Sequence, residues 1–265
     1  MKKGIVLSGG RGTRLYPITI AVCKQLLPVY DKPLIYYPLT TLMQLGIKDI
    51  LIIVSSELNM QLFNRLLGNG DKFGINLNYA IQPDPKGIAE AFLVGEKFID
   101  NQPVSLILGD NIFYGERFIT EQADIEYNKN YIFGCKVNNP KAYGVAVFDN
   151  DGDLIDIEEK PENPKSDYAV PGLYIYDDTV VDRAKSLIPS GRGELEITDL
   201  NNTYIADGLL DFIKLAPGTA WFDTGTHDHL LEAAQFVKAI QSRTGMTVGS
   251  PYEVALNRKW ISRVA

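Results

Sequence analysis

Three short, nearly unbroken apolar runs, at residues 3–8, 49–55 and 104–108, constrain the fold of this chain more than any other feature. Runs without polar alternation fit strands covered on both faces, the environment of a parallel sheet. Between and before them lie stretches with apolar residues at helical spacing: 34–45, stopping at Gly46; 58–67, stopping at Gly68; and 88–98, with Ala91, Phe92, Gly95 and Phe98. Strand and helix alternating in this way predict an α/β fold, a doubly wound, mostly parallel (Rossmann-like) sheet. Ligands of such sheets sit beyond the carboxyl ends of the strands, so the residues just after 8 and 108 are where chemistry is expected.

The first run leads straight into Gly9-Gly10-Arg11-Gly12-Thr13-Arg14-Leu15, followed by Lys24-Gln25-Leu26-Leu27-Pro28. Glycines let the backbone turn sharply and offer N–H groups to an anion, and Arg14 and Lys24 add the positive charge that a polyphosphate requires. The loop is not a P-loop, which ends in Gly-Lys-Ser/Thr where this one has Gly12-Thr13-Arg14. Nor is it a dinucleotide fingerprint, which needs glycine where Leu15 stands. A glycine turn alone is compatible with simple punctuation of the chain; the added Arg14 and Lys24 point to phosphoryl or nucleotidyl chemistry. Charge placement agrees. The 265-residue chain carries a net −7, yet its first 32 residues are +5 and the remainder −12. A basic pocket in an acidic protein suits a small anion and argues against a nucleic-acid partner or an anionic membrane surface. No run of 18 apolar residues is present, and no small-residue cleavage pattern follows Met1-Lys2-Lys3-Gly4, so neither a membrane span nor a signal peptide is predicted and a cytoplasmic protein is expected. Cys23 and Cys135 lack CxxC spacing and read as free thiols.

Two acidic residues close apolar segments. Asp110 follows Leu106-Ile107-Leu108-Gly109, and Asp223 follows Trp221-Phe222 just before a helical stretch. Either could be a turn or a cap. Together, opposite a basic glycine loop, they suggest a Mg²⁺ site, since a carboxylate beside a polyphosphate needs a cation between them. Gln82-Pro83-Asp84-Pro85-Lys86-Gly87 is either a plain proline turn or a rigid edge on which Gln82 hydrogen-bonds a ring. Glu158-Glu159-Lys160-Pro161 reads as a solvated turn or a binding element. Past residue 135 the pattern becomes alternating, with strands at 143–148 and 154–158 around the turn Asn150-Asp151-Gly152. Asp149, Asp151 and Asp153 belong to that turn and not to a calcium loop, because Leu154 stands where such a loop needs glycine. A helix is predicted over 226–242, with Leu230, Ala234, Val237 and Gln241 or Ile240 on one face, and Ser250-Pro251-Tyr252-Glu253 is a capping box opening a shorter one. His227 and His229 lack metal spacing and read as surface residues.

Taken in order, these segments resemble the sugar-1-phosphate nucleotidyltransferases, and among them the bacterial glucose-1-phosphate thymidylyltransferases. The likeness spans nearly the whole chain. It rests on the stretch from Leu7 to Leu15, Lys24 to Pro33, Gln82 with Gly87, Leu108 to Gly115, Tyr143-Gly144-Val145, Glu158 to Pro161, Gly193-Glu194-Leu195-Glu196-Ile197-Thr198-Asp199, and Trp221 to Thr226. The resemblance implies the reaction dTTP + glucose 1-phosphate → dTDP-glucose + pyrophosphate, with Mg²⁺ as cofactor, a homo-oligomer (dimer or tetramer), and the entry step to dTDP-rhamnose and related deoxysugars. It implies a single domain, with a nucleotide-binding half over about 1–135, a β-rich sugar-binding half over about 136–225, and C-terminal helices over 226–265. Arg14, Lys24, Asp110 and Asp223 would be catalytic, with Asp110 and Asp223 holding the metal. Leu7, Gly9, Gly10, Gly12, Thr13, Gln25, Gln82 and Gly87 would bind the nucleotide beside them. Asn111, Gly144, Glu159, Lys160, Val170 and Trp221 would bind the sugar phosphate. Three positions depart from the family pattern: Ser8 for alanine, Cys23 for serine, and Pro171 for threonine, which removes a backbone donor beside Val170. Relatives also continue past the position of Ile261, whereas this chain ends at Ala265, an expectation of retained chemistry with weaker assembly or feedback. Three other readings stay open: a UTP-dependent relative, separated by a nucleotide panel; a non-catalytic sugar-nucleotide sensor, marked by binding without pyrophosphate release; and a metal-dependent glycosyltransferase, marked by transfer to an acceptor.

Overall fold

The computed structural model describes residues 2–10, 12–115, 125–126 and 128–263; Arg11 of the glycine loop and the terminal Ala265 lie outside these. The chain opens with β1 (Lys3–Ser8), passes through the glycine loop and short 3₁₀ turns, and makes a small hairpin of β2 (Pro28–Val29) and β3 (Lys32–Pro33). There follow α1 (Tyr36–Gln44), β4 (Asp49–Val54), α2 (Glu57–Leu67), β5 (Asn76–Ile81), α3 (Glu90–Val94), α4 (Glu96–Ile99) and β6 (Val104–Leu108). The second half runs β7 (Asn111–Tyr114), β8 (Asn130–Lys136), β9 (Gly144–Phe148), β10 (Leu154–Glu159), β11 (Tyr168–Ala169), β12 (Leu173–Tyr176), α5 (Val180–Ser186), α6 (Ile197–Ala206), β13 (Leu210–Lys214), β14 (Ala220–Asp223), α7 (His227–Thr244) and α8 (Pro251–Asn257).

Ten strands form one sheet. Its order from one edge is β5-β4-β1-β6-β12-β8-β11-β9-β10, with β13 beside β8. The first four strands are mutually parallel. Beyond β6 the sheet is mixed: β12 is antiparallel to both β6 and β8, and β13 is parallel to β8. Both faces are covered, which is why the three apolar runs do not alternate. Val6, Ile50, Ile52 and Val54 pack with Leu39 and Leu42 of α1, Phe63 of α2 and Ala255 of α8. Ile5, Leu51 and Ile53 pack on the other face with Phe92, Ile99, Val181 and Leu200 from α3 to α6. Each such side chain, fully buried, contributes roughly 1.5–3 kcal/mol. A third apolar cluster joins Ala233 and Val237 of α7 to Val29, Tyr37 and Ile112.

The single helix expected over 88–98 is in fact two, α3 and α4, meeting at Gly95. The reason is closeness to the sheet: a Cβ at Gly95 would lie 3.1 Å from Ile5 Cδ1 and 3.3 Å from Leu51 Cδ2, so the chain bends where it has no side chain. The predicted cap at Ser250 is present, and two further helices are capped in the same way. Ser56 Oγ accepts from Asn59 N at the start of α2, Thr226 Oγ1 from His229 N at the start of α7, and Ser250 Oγ from Glu253 N at the start of α8. Helix α7 runs two residues beyond 242 and ends at left-handed Gly245. In the 149–153 turn, Asp149 Oδ1 accepts from Asp151 N and Asp153 N at 3.0 and 2.9 Å, so the carboxylate stabilises the hairpin as expected. Among the described residues no helix is long and apolar enough to cross a membrane.

Candidate active site

Helices α1 and α2 cover one face as the chain winds from β1 to β4 to β5; α3 and α4 then return on the other face to β6. The winding therefore reverses between β1 and β6, and a crevice opens outside their carboxyl ends, as in other open α/β sheets. It forms a cleft of about 820 Å³. The glycine loop lies at the end of β1, Gly109-Asp110 at the end of β6, and Gln82 at the end of β5, where its N–H donates to Val54 O at 2.8 Å.

The two carboxylates meet because β14 pairs antiparallel with β7, placing Asp223 opposite Asn111, the neighbour of Asp110. Thr224 reinforces the join, its N and Oγ1 donating to Asp110 O at 3.1 and 2.8 Å. Their electrostatic states differ. Burial alone would raise the Asp110 carboxyl, but the Lys24 ammonium 2.6 Å from Oδ2 and the Asn111 amide outweigh it and hold the carboxyl below its ordinary value. Asp223 is pushed up, first by burial and then by the negative charge of Asp110, with Lys24 and Arg14 offsetting part of this. The Arg14 guanidinium and Asp223 carboxylate both lie over Gly225: a Cβ there would be 2.7 Å from Arg14 Nη2 and 2.8 Å from Asp223 Oδ1. Among the described residues no group of three or more His, Cys, Asp or Glu side chains gathers for a metal. Two adjacent carboxylates, one destabilised by the other, are instead the donor set that suits Mg²⁺, which binds one or two carboxylates and completes its shell with water and substrate phosphates.

Of the residues expected to meet the nucleotide, Leu7, Gly9, Gly10, Thr13, Arg14, Gln25, Gln82 and Gly87 line the cleft. Gly12 and Lys24 do not. Gly12, left-handed at φ 59°, is fastened by Thr19 Oγ1 donating to its carbonyl at 2.6 Å, and Lys24 sits beneath Asp110, 9 % exposed. Gln25 is buried, and the Cys23 thiol lies 2.9 Å from its Oε1. Burial raises the Cys23 thiol, keeping the proton that this contact uses. Gly87 has φ 100°, and a Cβ there would be 2.2 Å from Leu195 O, so only glycine fits where the 82–87 loop meets the 193–196 segment.

On the other side, Asn111, Gly144, Glu159, Lys160, Val170 and Trp221 line the same cleft. Asn111 is a junction: its Oδ1 accepts from Gly172 N at 3.0 Å and Trp221 Nε1 at 2.7 Å, while its Nδ2 donates to Asp110 Oδ1 at 2.9 Å. Lys160 follows β10 in a left-handed conformation, φ 46°, with its ammonium 2.9 Å from Glu159 Oε1. Four contributors escaped the sequence reading. Thr198 Oγ1 donates to Glu159 Oε2 at 2.9 Å; the Tyr143 ring packs edge-on against Trp221 at 4.9 Å; Arg192 lines the cleft while bridging to Glu196; and His229 is not a simple surface residue. Its Nδ1 lies 2.9 Å from Asp223 O, because the first turn of α7 folds back on the end of β14. Thr198 and Tyr143 belong to stretches that carry the family resemblance, but nothing local marks their roles.

The nucleotidyl transferase family profile matches residues 3–240, and the chain belongs to that family. A glucose-1-phosphate thymidylyltransferase of Mycolicibacterium smegmatis is 55% identical over 254 residues, covering 96% of this chain and 88% of its own. One of Neisseria meningitidis is 53% identical over 262 residues, covering 98% and 91%. Among solved structures, a Bacillus anthracis protein described as a glucose-1-phosphate thymidylyltransferase in complex with sucrose superposes with a TM-score of 0.82 at 40% identity, covering 96% of this chain and 99% of that one. A UDP-glucose pyrophosphorylase complexed with UDP-glucose, at 24% identity and TM-score 0.78, shares the fold.

Proposed function

We propose that this enzyme transfers a thymidylyl group from dTTP to α-D-glucose 1-phosphate, releasing pyrophosphate and forming dTDP-glucose. The observation that carries the reading is the pair of carboxylates, Asp110 and Asp223, set beside Arg14 at the β1/β6 reversal in a cleft whose opposite wall holds Glu159 and Lys160. The high identity to the two thymidylyltransferases supports the same reaction.

In this reading the sugar phosphate oxygen attacks the α-phosphorus in line, so that one P–O bond forms as the bond to pyrophosphate breaks. No enzyme nucleophile is needed; the chain supplies position and charge. The nucleotide half, about 1–135, holds dTTP. Leu7, Gly9, Gly10 and Thr13 lie under the nucleotide with Gly12 shaping the loop behind them, Arg14 neutralises the triphosphate with Lys24 adding charge from beneath Asp110, and Gln25, Gln82 and Gly87 fix the nucleoside. The sugar half, about 136–225, together with Asn111, holds glucose through Asn111, Gly144, Glu159, Val170 and Trp221, with Lys160 on its phosphate. Asp110 and Asp223 would hold Mg²⁺, which when bound neutralises phosphate charge and polarises the phosphoryl group. Lys24 keeps Asp110 ionised and ready for that ion.

The test is pyrophosphate release with glucose 1-phosphate, Mg²⁺ and each nucleoside triphosphate. The thymine methyl is worth about 1 kcal/mol of burial, so dTTP should exceed dUTP by less than roughly tenfold. UTP should be poorer, because its extra 2′-hydroxyl must be accommodated near Gln25 and Gly10. Preference for UTP in competition overturns the thymidylyl assignment; tight binding of dTDP-glucose without any pyrophosphate release makes the chain a sensor.

A further inference from the structure

Gln82 is 2 % exposed, yet it lines the cleft, and a primary amide in such a place can offer either its oxygen or its NH₂. The two ends look alike in shape. What decides between them is the partner behind. Glu90 Oε2, on the first turn of α3, lies 2.5 Å from Gln82 Nε2 and 3.1 Å from the backbone N of Lys86. A carboxylate accepts and does not donate, so turning the amide over would aim its oxygen at a negative charge. The amide is therefore held one way round. Its Oε1 lies against Gly9, where a Cβ would come within 3.0 Å of it, and Gly9 also lines the cleft. The same carboxylate oxygen anchors Lys86, next to Gly87, so one side chain sets both the polarity of the amide and the position of the loop that follows it.

We infer that Glu90 is a positioning residue for nucleobase choice: it locks Gln82 so that an acceptor faces the base, selecting pyrimidines with an N3–H donor over cytosine, whose N3 is an acceptor. Glu90 acts only through Gln82 and Lys86. The inference rests on the reading that Gln82 meets the base, and the experiment separates the two. An amide freed from its carboxylate can present NH₂ where the oxygen stood, which is what the lone pair of cytosine N3 requires.

The experiment measures kcat and KM with dTTP and dCTP for the wild type, Glu90→Ala, Glu90→Gln and Gln82→Leu, with thermal melts of each. Losing a hydrogen bond to a charged group corresponds to roughly tenfold or somewhat more. Glu90→Ala is expected to raise the KM for dTTP about tenfold and to lower the dTTP/dCTP ratio of kcat/KM by about tenfold, with the effect concentrated in KM and not in kcat. Glu90→Gln, which can still accept from Gln82 but can also turn over, is expected to fall between; it decides the matter if the alanine variant does not fold. A higher KM with an unchanged dTTP/dCTP ratio in both variants makes Glu90 a loop strut and overturns the inference. If Gln82→Leu itself keeps the wild-type ratio, Gln82 does not read the base, and it is the underlying assignment that fails.

Discussion

Asp110 and Asp223 are chemically identical side chains with opposite standing in the fold, and replacing each by asparagine should show it. Both variants lose a metal-binding charge at nearly constant volume, so turnover is expected to fall about 10²-fold to 10³-fold in each. Stability should split. Asp110→Asn strands Lys24, whose ammonium is nearly buried at the end of its 2.6 Å ion pair, and is expected to lower the melting temperature. Asp223→Asn removes a carboxylate raised by burial and by Asp110, and is expected to raise the melting temperature at pH 7. A group whose folded pKa is raised costs stability above its unfolded pKa, so that gain should vanish as pH falls below about 4. Equal melting shifts, or near-normal turnover at limiting Mg²⁺, would show that the pair is not the site. A second contrast concerns cations. Lys160→Met should mainly raise the KM for glucose 1-phosphate, and Arg14→Met should mainly depress kcat with the KM for the sugar phosphate unchanged; matching profiles would dissolve the separate roles. Asp110, Asp223 and Arg14 were legible in the chain, since strand-end carboxylates and a basic glycine loop are signals contained within single segments; the role given to Lys160 comes from the family resemblance alone. Thr198, Tyr143 and His229 were not legible, because each acquires its meaning from a partner that is distant in sequence or belongs to another element, and Arg192 was not, because only the fold brings its loop to the cleft.

Helices and strands announced themselves where their two faces differ in a periodic way or are both buried. The strands β1, β4 and β6, the helices α2 and α7, and the capped start of α8 are of this kind. Strand β5 went unlocated because it is an edge strand whose alternation includes Asn76 and Asn78, residues more typical of turns. The break at Gly95 was hidden because it depends on how near the sheet lies. Gln241 was placed on the apolar face of α7 as an alternative to Ile240; in the fold Ile240 joins the apolar cluster while Gln241 ties α7 to the small hairpin. Its Nε2 donates to Asp31 Oδ2 at 3.0 Å, and its Oε1 accepts from Lys32 Nζ at 3.2 Å and Val248 N at 3.0 Å. Burial alone would raise the Asp31 carboxyl, but the bonds from Gln241 and Lys32 outweigh it and hold it below its ordinary value. A carboxylate lowered in the folded state stabilises above its unfolded pKa, near 4, and loses that contribution as pH falls through the folded value. Asp31→Asn is therefore expected to melt below the wild type at pH 7, with the gap closing as pH drops under about 4. A constant gap across that range would mean that the Asp31 charge does not tie the hairpin to α7.

The molecule is built around one ten-stranded sheet, and β6 is where its two halves meet: parallel β1 lies on one side and antiparallel β12 on the other. Gly172, at the start of β12, has no room for a side chain, since a Cβ would fall 2.5 Å from Leu108. The halves are thus joined by backbone hydrogen bonds and a tight packing seam. One consequence concerns inheritance. In the proposed reading, the segments on the sugar side enter β9 and β12 and leave β10, while those on the triphosphate side leave β1 and β6, so the two sets hang from different strands of a common frame. A lineage could redraw the acceptor pocket by replacing the loops before β9 and after β10 while the distance to the phosphate machinery stays set by strand spacing. Such a scaffold makes new sugar choices accessible by recombination of short segments, with the reaction itself carried forward unaltered.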